Sequence, residues 1–552
     1  MNNAFFALAK KIKKKIKRRT EESRPKKEKT KSELAVSDEL KQRLQAVKDL
    51  LGESKDIVIR EFKSGNDMVK LAILFIDGMS DKATISETII RPIQSGNLSI
   101  KFNKDLSAGN ALAAIEKHLS EFAETSTVPD LSQAVRQMLG GDSILLIDGE
   151  KEILVFGTRS WQSRAVEEPA TESVVRGPRE GFTETMRVNT SLLRRRIRHE
   201  GLRFESMKAG RRTWTEIVLV YIDDIVNRRV LEEVRRRIAA IDTDSILESG
   251  YIEEFIEDSP WSVFPQIEHT ERVDKAAAAI LEGRVLILTD NTPFTLIIPT
   301  SFFQFIQAAE DFYERPAIGA TLLRLLRIAV LQIALMLPAI YVAVTTFHHE
   351  MLPTSLLLSI AAAREGIPFP AVAEALLMEA TFEVLREAGI RLPRPVGQAI
   401  SIVGGLVVGD AAIRAGLVSP AMVIVVATTA ISSFAIPAFN ASISLRLLRF
   451  PLLILAGVMG LYGLIFGLLL ILIHLSSLQS FGIPYLAPLV HGTADDAIQT
   501  FARIPWWMSF KRPRMLNTRD RVRQKSSAGF RPAPPDEREL FHEEVKKNAG
   551  KR

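Results

Sequence analysis

The chain of 552 residues has no cysteine. That excludes disulfides, thiolate metal sites and cysteine nucleophiles. Histidine is scarce, at eight residues, and no Ser/His/Asp arrangement can be read around them. No phosphate-loop signature is present. In "SIVGGLVVGDAAIRAGLVSP" (Ser401–Pro420), Gly404-x4-Gly409 is followed by Asp410 where a lysine would be needed, and that carboxylate would repel a phosphate. No G-x-G-x-x-G occurs in the same stretch. His348–His349–Glu350 lacks the i, i+4 histidine pair of a metalloprotease zinc site, so it reads as the polar exit of an apolar span. The N-terminus "MNNAFFALAKKIKKKIKRR" does not read as a signal peptide, because its apolar part precedes its charges. These absences describe a chain that is not an enzyme and has no catalytic, cofactor-binding or metal residues to name.

What is present is unevenly distributed. At 47% hydrophobic and 25% charged the composition resembles an ordinary soluble protein, but the charge sits at the two ends and the apolar residues between about 320 and 490. Lys10 to Arg19 holds eight cationic residues, and Arg503 to Lys525 holds eight more with one acid, Asp520. Basic runs flanking an apolar region, with a net charge of +7, point to anionic lipid rather than nucleic acid. Phe5, Leu8, Ala9, Ile12 and Ile16 lie at helical spacing, which fits either an interfacial helix or a solvated basic tail.

The middle of the chain reads as a soluble α/β region of two related subdomains followed by an α-helical, multi-span membrane domain. After a basic tail and linker over 1–54, "MVKLAILFIDGM" (Met68–Met79) is a buried-strand pattern ended by Asp-Gly. "SILLIDGEKEILVFG" (Ser143–Gly157) is a hairpin pattern. The same order recurs in "TEIVLVYIDDIVNRRVLEEVRRRI" (Thr215–Ile238) and "GRVLILTDNTPFTLII" (Gly283–Ile298). Asp77 aligns with Asp223, and Asp148 with Asp290, at nearly one offset, so one module is used twice. The subdomains are placed at 55–160 and 185–300, with a polar linker at 161–184.

The membrane domain is expected at 301–490. Spans fall at about 324–347, 396–416, 418–439 and 450–475, each long enough for a core of about 30 Å. Leu356–Ala363 is too short to cross alone. In 368–392, Met378, Phe382 and Leu385 form a stripe against Glu379, Glu383 and Glu387, the pattern of a helix lying in the interface with its carboxylates solvated. Residues 491–552 are expected to form a basic, disordered cytoplasmic tail.

Within Ser401–Pro420 the small residues Ser401, Gly405, Gly409, Ala412 and Gly416 recur at helical spacing, and Gly405-x3-Gly409 is a close-packing motif for membrane helices. Asp410 and Arg414 are four apart and can pair on the adjacent face. An intramembrane ionisable residue is a functional candidate, and a structural salt bridge near the membrane edge is the alternative. Thr428, Thr429, Ser432 and Ser433 of the next span read as groups that hydrogen-bond between helices or line a wet path, packing being the preferred reading.

Several segments carry a resemblance. "GPREGFTETMRVNTSLLRRRIR" (Gly177–Arg198), "TPFTLIIPTSFFQFIQAAEDFYERP" (Thr292–Pro316), "LPAIYVAVTTFHHEMLPTSLLLSIAAAREGIPFP" (Leu337–Pro370), "LREAGIRLPRPVGQAISIVGGLVVGDAAIRAGLVSP" (Leu385–Pro420) and "SFGIPYLAPL" (Ser480–Leu489) resemble the A-subunit family of spore germinant receptors, the GerA type, from about Asp56 to Leu489. SpoVAF, a sporulation protein, belongs to the same family. The resemblance implies a spore inner-membrane protein of an endospore former, working in nutrient-triggered germination with a transporter-like B subunit and a lipoprotein C subunit. It also implies a homo-oligomer, a pentamer, acting as a ligand-gated cation channel, with no cofactor, no catalytic residue to carry over and the nutrient sensed mainly by the B subunit. For a pore, the helix Gln398–Gly416 is the candidate: Asp410, with Arg414, near the conduction path, and Val407 or Val408 as an apolar constriction that gates by dewetting. A non-conducting membrane scaffold and a secondary transporter are the competing readings. The transporter is the weaker, because no inverted repeat of broken membrane helices is visible.

Overall fold

The structure, a computed structural model, describes residues 39–64, 69–94, 112, 115–116, 124–160, 168–169, 171–313, 317–391, 409–490 and 492–524. The chain forms two compact units. One comprises Met1–Asp49, Val58–Ile76 and Ser80–Arg159, and the other Leu50–Ile57, Asp77–Met79 and Ser160–Arg552.

The first α/β module runs α1 (Leu40–Leu51), β1 (Ile57–Lys63), β2 (Lys70–Ile76), β3 (Thr125–Val128), α2 (Leu131–Met138), β4 (Ser143–Ile147) and β5 (Ile153–Phe156). Its sheet order is β1-β2-β4-β5-β3. The unbroken apolar runs of β2 and β4 make them inner strands, buried along nearly their whole length and antiparallel to each other. Between β4 and β5 the Asp148–Gly149 turn puts Gly149 at φ +84°, a left-handed value that glycine adopts without penalty. Asp148 Oδ1 accepts from the Leu40 amide at 2.9 Å, at the start of α1.

The second module repeats this plan: α3 (Met186–Arg196), β6 (Leu202–Ala209), β7 (Thr215–Ile222), α4 (Arg228–Ala239), α5 (Ser249–Ile256), β8 (Glu268–Thr270), α6 (Val273–Glu282), β9 (Val285–Thr289) and β10 (Thr295–Ile298). Its order, β6-β7-β9-β10-β8, matches the first sheet position for position. Asp290, the counterpart of Asp148, accepts from the Met186 amide at the start of α3. Alternate residues of β7 feed two cores. Val218, Val220 and Ile222 pack with Leu193 of α3 and Ile280 of α6, whereas Ile217, Leu219 and Tyr221 pack with Val234 of α4 and Ile252 of α5. Helices therefore cover both faces. Residues of the expected linker that are described are pinned to this module. Arg272 donates to the carbonyls of Glu172 and Pro178, and Glu172 meets Lys275 at 2.8 Å.

The C-terminal part is helical: α7 (Ala317–Thr346), α8 (Thr354–Arg364), α9 (Ala371–Arg391), α10 (Gly409–Arg414), α11 (Pro420–Phe434), α12 (Phe439–Ser477) and α13 (Ala494–Phe501). Among the described residues two segments, Ile318–Thr346 and Phe439–Ser477, are long and apolar enough to cross a membrane; the second contains the expected span at 450–475 and the first covers that at 324–347 but for its last residue. The expected span at 418–439 corresponds to α11, which has 15 residues. Most of the span at 396–416 lies outside the described residues.

The helix α12 is a hairpin. Gly460 breaks it at φ 63°, ψ −141°. A Cβ on Gly463 would overlap the Leu455 carbonyl, and one on Gly467 would meet Leu452 and Leu455. In a straight helix, residues eight and fifteen apart are separated by about 12 and 22 Å, so the arm after Gly460 must fold back along the arm before it. The feet agree: Ser262 contacts His474 at 2.9 Å, and Ser444 hydrogen-bonds to the Val263 carbonyl.

Of the tail expected to be disordered, the described residues 492–524 are ordered. Arg512 donates to the Leu281 carbonyl at 2.8 Å and bonds to Asp520 and Val522. Asn227 and Ile225 bond to Leu516 and Arg519. Gly283, at φ +99°, closes α6 where Thr518 packs. Residues 503–524 thus form a strap over the second module, because their arginines find backbone carbonyls and carboxylates there instead of solvent.

Candidate functional site: an ionic row inside the helical bundle

The amphipathic reading of 368–392 placed its carboxylates in solvent. The structure overturns this for Glu374 and Glu379, which are buried (0% and 1% exposed), alongside Ala371, Ala375 and Met378. The helix α9 lies antiparallel to the first arm of the α12 hairpin. Val372 packs where a Cβ on Gly457 would stand, Glu379 meets Arg449 and Glu383 meets Arg446. Glu379, Glu383 and Arg386 follow i, i+4, i+7 spacing, so they share one helix face. That face turns toward the two arginines at the head of the hairpin rather than toward water.

Arg449 is the centre of the row. Its Nη1 lies 2.5 Å from Glu379 Oε2, with both side chains 2% exposed. Its Nε donates to the Ala334 carbonyl at 2.9 Å. That carbonyl is available for a reason visible in the sequence. Pro338 sits inside α7, and the residue four positions on from Ala334 would normally supply the helical N–H, which proline lacks. The guanidinium thus replaces a missing backbone donor and neutralises a buried carboxylate at once. Removing water from two ions costs several kcal/mol each, which Coulomb attraction recovers only with close geometry and further hydrogen bonds.

The row extends in both directions. Arg446 Nη1 meets Glu383 Oε2 at 2.8 Å. Arg386 lies 3.6 Å from the same carboxylate, donates to Ser433 at 2.9 Å and stacks 4.7 Å over Phe434. At the other end Glu374 Oε1 accepts from both the amide and hydroxyl of Ser419, each at 2.5 Å. Ser419 is the N-cap of α11, so this carboxylate sits where the helix dipole favours negative charge. Arg364 approaches Glu374 at 3.7 Å. The apolar cluster around the row draws Leu335, Val342, Met422 and Leu453 from three helices.

The residues singled out in Ser401–Pro420 fare differently. Ser401, Gly405, Val407 and Val408 lie outside the described residues. Asp410 and Arg414 pair at 2.8 Å, at the expected spacing, with their side chains 58% and 79% exposed in the single chain. Among the described residues no hydrogen bond or ion pair joins them to the row. Gly409 is buried, a Cβ there would stand 3.5 Å from Val423, and Ala412 packs against the apolar cluster. Gly416 is no helix-packing residue: at φ +64° it follows the end of α10 and turns the chain toward α11. Of the hydroxyls in the next helix, Thr429 and Ser433 donate back to their own helix, while Ser433 also accepts the interhelical hydrogen bond from Arg386. Sequence reasoning missed Arg449 and Arg446. The available signal was a proline inside one apolar span together with two arginines opening another.

A family model described as "Bacillus/Clostridium GerA spore germination protein" matches residues 45–515. Spore germination protein KA of Bacillus subtilis (strain 168) is 45% identical over 511 residues, covering 92% of this chain and 92% of its own. Spore germination protein GerLA of Bacillus cereus is 41% identical, covering 86% of this chain and 95% of its own. Among solved structures, the N-terminal domain of the A subunit of the Bacillus megaterium spore germinant receptor GerK3 is 35% identical, with a TM-score of 0.39, and covers 48% of this chain and 97% of that one.

Proposed function

Because the chain belongs to the Bacillus/Clostridium GerA family of spore germination proteins, we propose that it is the A subunit of a spore germinant receptor and oligomerises, as a pentamer, into a nutrient-gated cation channel. It works in the spore inner membrane with a transporter-like B subunit and a lipoprotein C subunit, its soluble modules and tail on the cytoplasmic side, its basic ends on anionic lipid. The membrane domain crosses several times. The two arms of α12, roughly 17 and 21 residues, are about 25 and 30 Å long, and α7 runs alongside.

The observation that carries this reading is the ionic row. Charges buried among apolar helices are costly, and where they persist they serve a path, a switch or an assembly. The exposed Asp410–Arg414 pair supports placing α10 at a lumen or protomer boundary, with Val407 and Val408 as the constriction beside it. Single-channel recording on the purified full-length protein in planar bilayers tests the proposal, with Val408→Ala expected to raise the closed-state leak and Asp410→Asn to reduce cation selectivity. A silent bilayer, or unchanged gating and selectivity in both variants, refutes it. A second reading, a non-conducting scaffold that assembles germination partners, draws support from the same row, since Glu374, Glu379 and Glu383 each have an arginine beside them.

A further inference from the structure

Where the chain passes from the second module into α7, the strap closes over a cavity of about 150 Å³. A space of that size admits a ligand about as large as benzene. Five cationic side chains and three carboxylates line it, and most are already committed. Lys275 is held by Glu172 and Glu268 at 2.8 and 2.9 Å. Arg324 is held by Asp311 at 2.8 Å. Asp496 bonds to Thr493 and to the Arg514 amide.

Arg284 and Arg523 are left with one carboxylate between them. Glu282 lies 3.7 Å from the first and 3.3 Å from the second. Arg284 is 2% exposed, and although its Nη1 bonds to the Pro299 carbonyl and to Gln304 Oε1, its Nη2 is buried with no acceptor among the described residues. Burial pulls the Arg284 pKa below the usual arginine value, and the nearby Glu282 and Glu268 offset that only in part. The side-chain amides of Gln307 and Gln499, on the same wall, make no hydrogen bond among the described residues, and Phe312 and Trp506 supply an apolar side.

We propose that this cavity binds a phosphate-bearing ligand, its oxyanion seated on Arg284 and Arg523. A phosphate offers three acceptor oxygens and up to two charges, enough for two guanidinium groups that share one glutamate, whereas a carboxylate offers two oxygens and one charge. The same group could arrive on a soluble phosphate compound or on an anionic lipid headgroup, because the cavity lies where the chain enters its apolar helix. The site couples the strap, the second module and α7, and does not depend on the channel reading.

The test uses full-length protein in uncharged detergent. Inorganic phosphate and short-chain phosphatidic acid, a phosphomonoester lipid, are titrated separately at constant ionic strength against a chloride reference, with Kd read by calorimetry and supported by the thermal midpoint. Arg523→Gln is expected to weaken phosphate binding about tenfold. Glu282→Gln is expected to strengthen it about tenfold, because the competing carboxylate is gone. A gain of affinity cannot come from a damaged fold, so the second variant separates binding from folding. Phosphatidic acid that displaces phosphate and binds more tightly assigns the lipid source, and phosphate binding without such displacement assigns the soluble one. A response to phosphate and lipid equal to that of chloride, or an unchanged Kd in both variants, overturns the proposal.

Discussion

Replacing Arg449 by methionine removes two interactions at once, and Pro338 allows them to be separated. The substitution strands Glu379, 1% exposed, without a counter-ion. Removing one partner of a buried pair costs about 3–5 kcal/mol. It also strips the Ala334 carbonyl of its donor, worth about 1–3 kcal/mol when the acceptor is left buried. Pro338→Ala restores the backbone N–H that this carbonyl would ordinarily receive. In a Pro338→Ala background, Arg449→Met should therefore cost about 1–2 kcal/mol less than in the native chain. Adding Glu379→Gln to Arg449→Met should recover most of the remainder, because both charges are then absent. The assay is a double-mutant cycle on equilibrium unfolding of the full-length protein in detergent micelles. Additivity of Pro338→Ala and Arg449→Met within about 0.5 kcal/mol would refute the idea that the guanidinium substitutes for the missing amide.

Two further outcomes can be checked on the same preparation. A Cβ on Gly457 would stand 2.6 Å from Val372, so Gly457→Val should push α9 off the hairpin and lower stability by about 1–3 kcal/mol, seen as an earlier thermal transition, whereas a neutral result would mean the helices do not touch there. Glu253, half-buried on α5, has its pKa raised to about 8 by burial and by the nearby Glu257 and Glu248. The folded state therefore holds a proton that the unfolded chain releases near pH 4.5, and stability contributed by this site falls as pH rises from about 4.5 to about 8. Glu253→Gln should accordingly raise the thermal midpoint more at pH 9 than at pH 6, and an equal shift at both would contradict this origin.

Local pattern carried the soluble half. The unbroken apolar runs of β2 and β4, the Asp148–Gly149 turn and the repeat seen in Asp77/Asp223 and Asp148/Asp290 are short-range signals, and the two sheets share one strand order. Strand alternation and turn chemistry depend on residues within a few positions of each other, so a linear reading reaches them. The Asp410–Arg414 pair, four residues apart on one helix, was legible for the same reason.

Three features were not local. Glu379 and Arg449 are 70 residues apart, and the stripe that holds Glu379 reads by itself as a solvated face. Only the antiparallel docking of α9 on the hairpin turns two costly charges into a pair. The hairpin itself rests on one backbone angle at Gly460, where a run of apolar residues otherwise reads as one helix, since composition is the same on both sides of the turn. The strap from Arg503 to Gln524 looked like a disordered basic tail because so short and highly charged a segment cannot build a core of its own. It is ordered by acceptors that the second module presents. Sequence by itself determined the strands and turns of the soluble modules and the two long apolar segments, because those follow from neighbouring side chains. Which charges are buried, and against what, was decided only by tertiary structure, because desolvation is set by partners far along the chain.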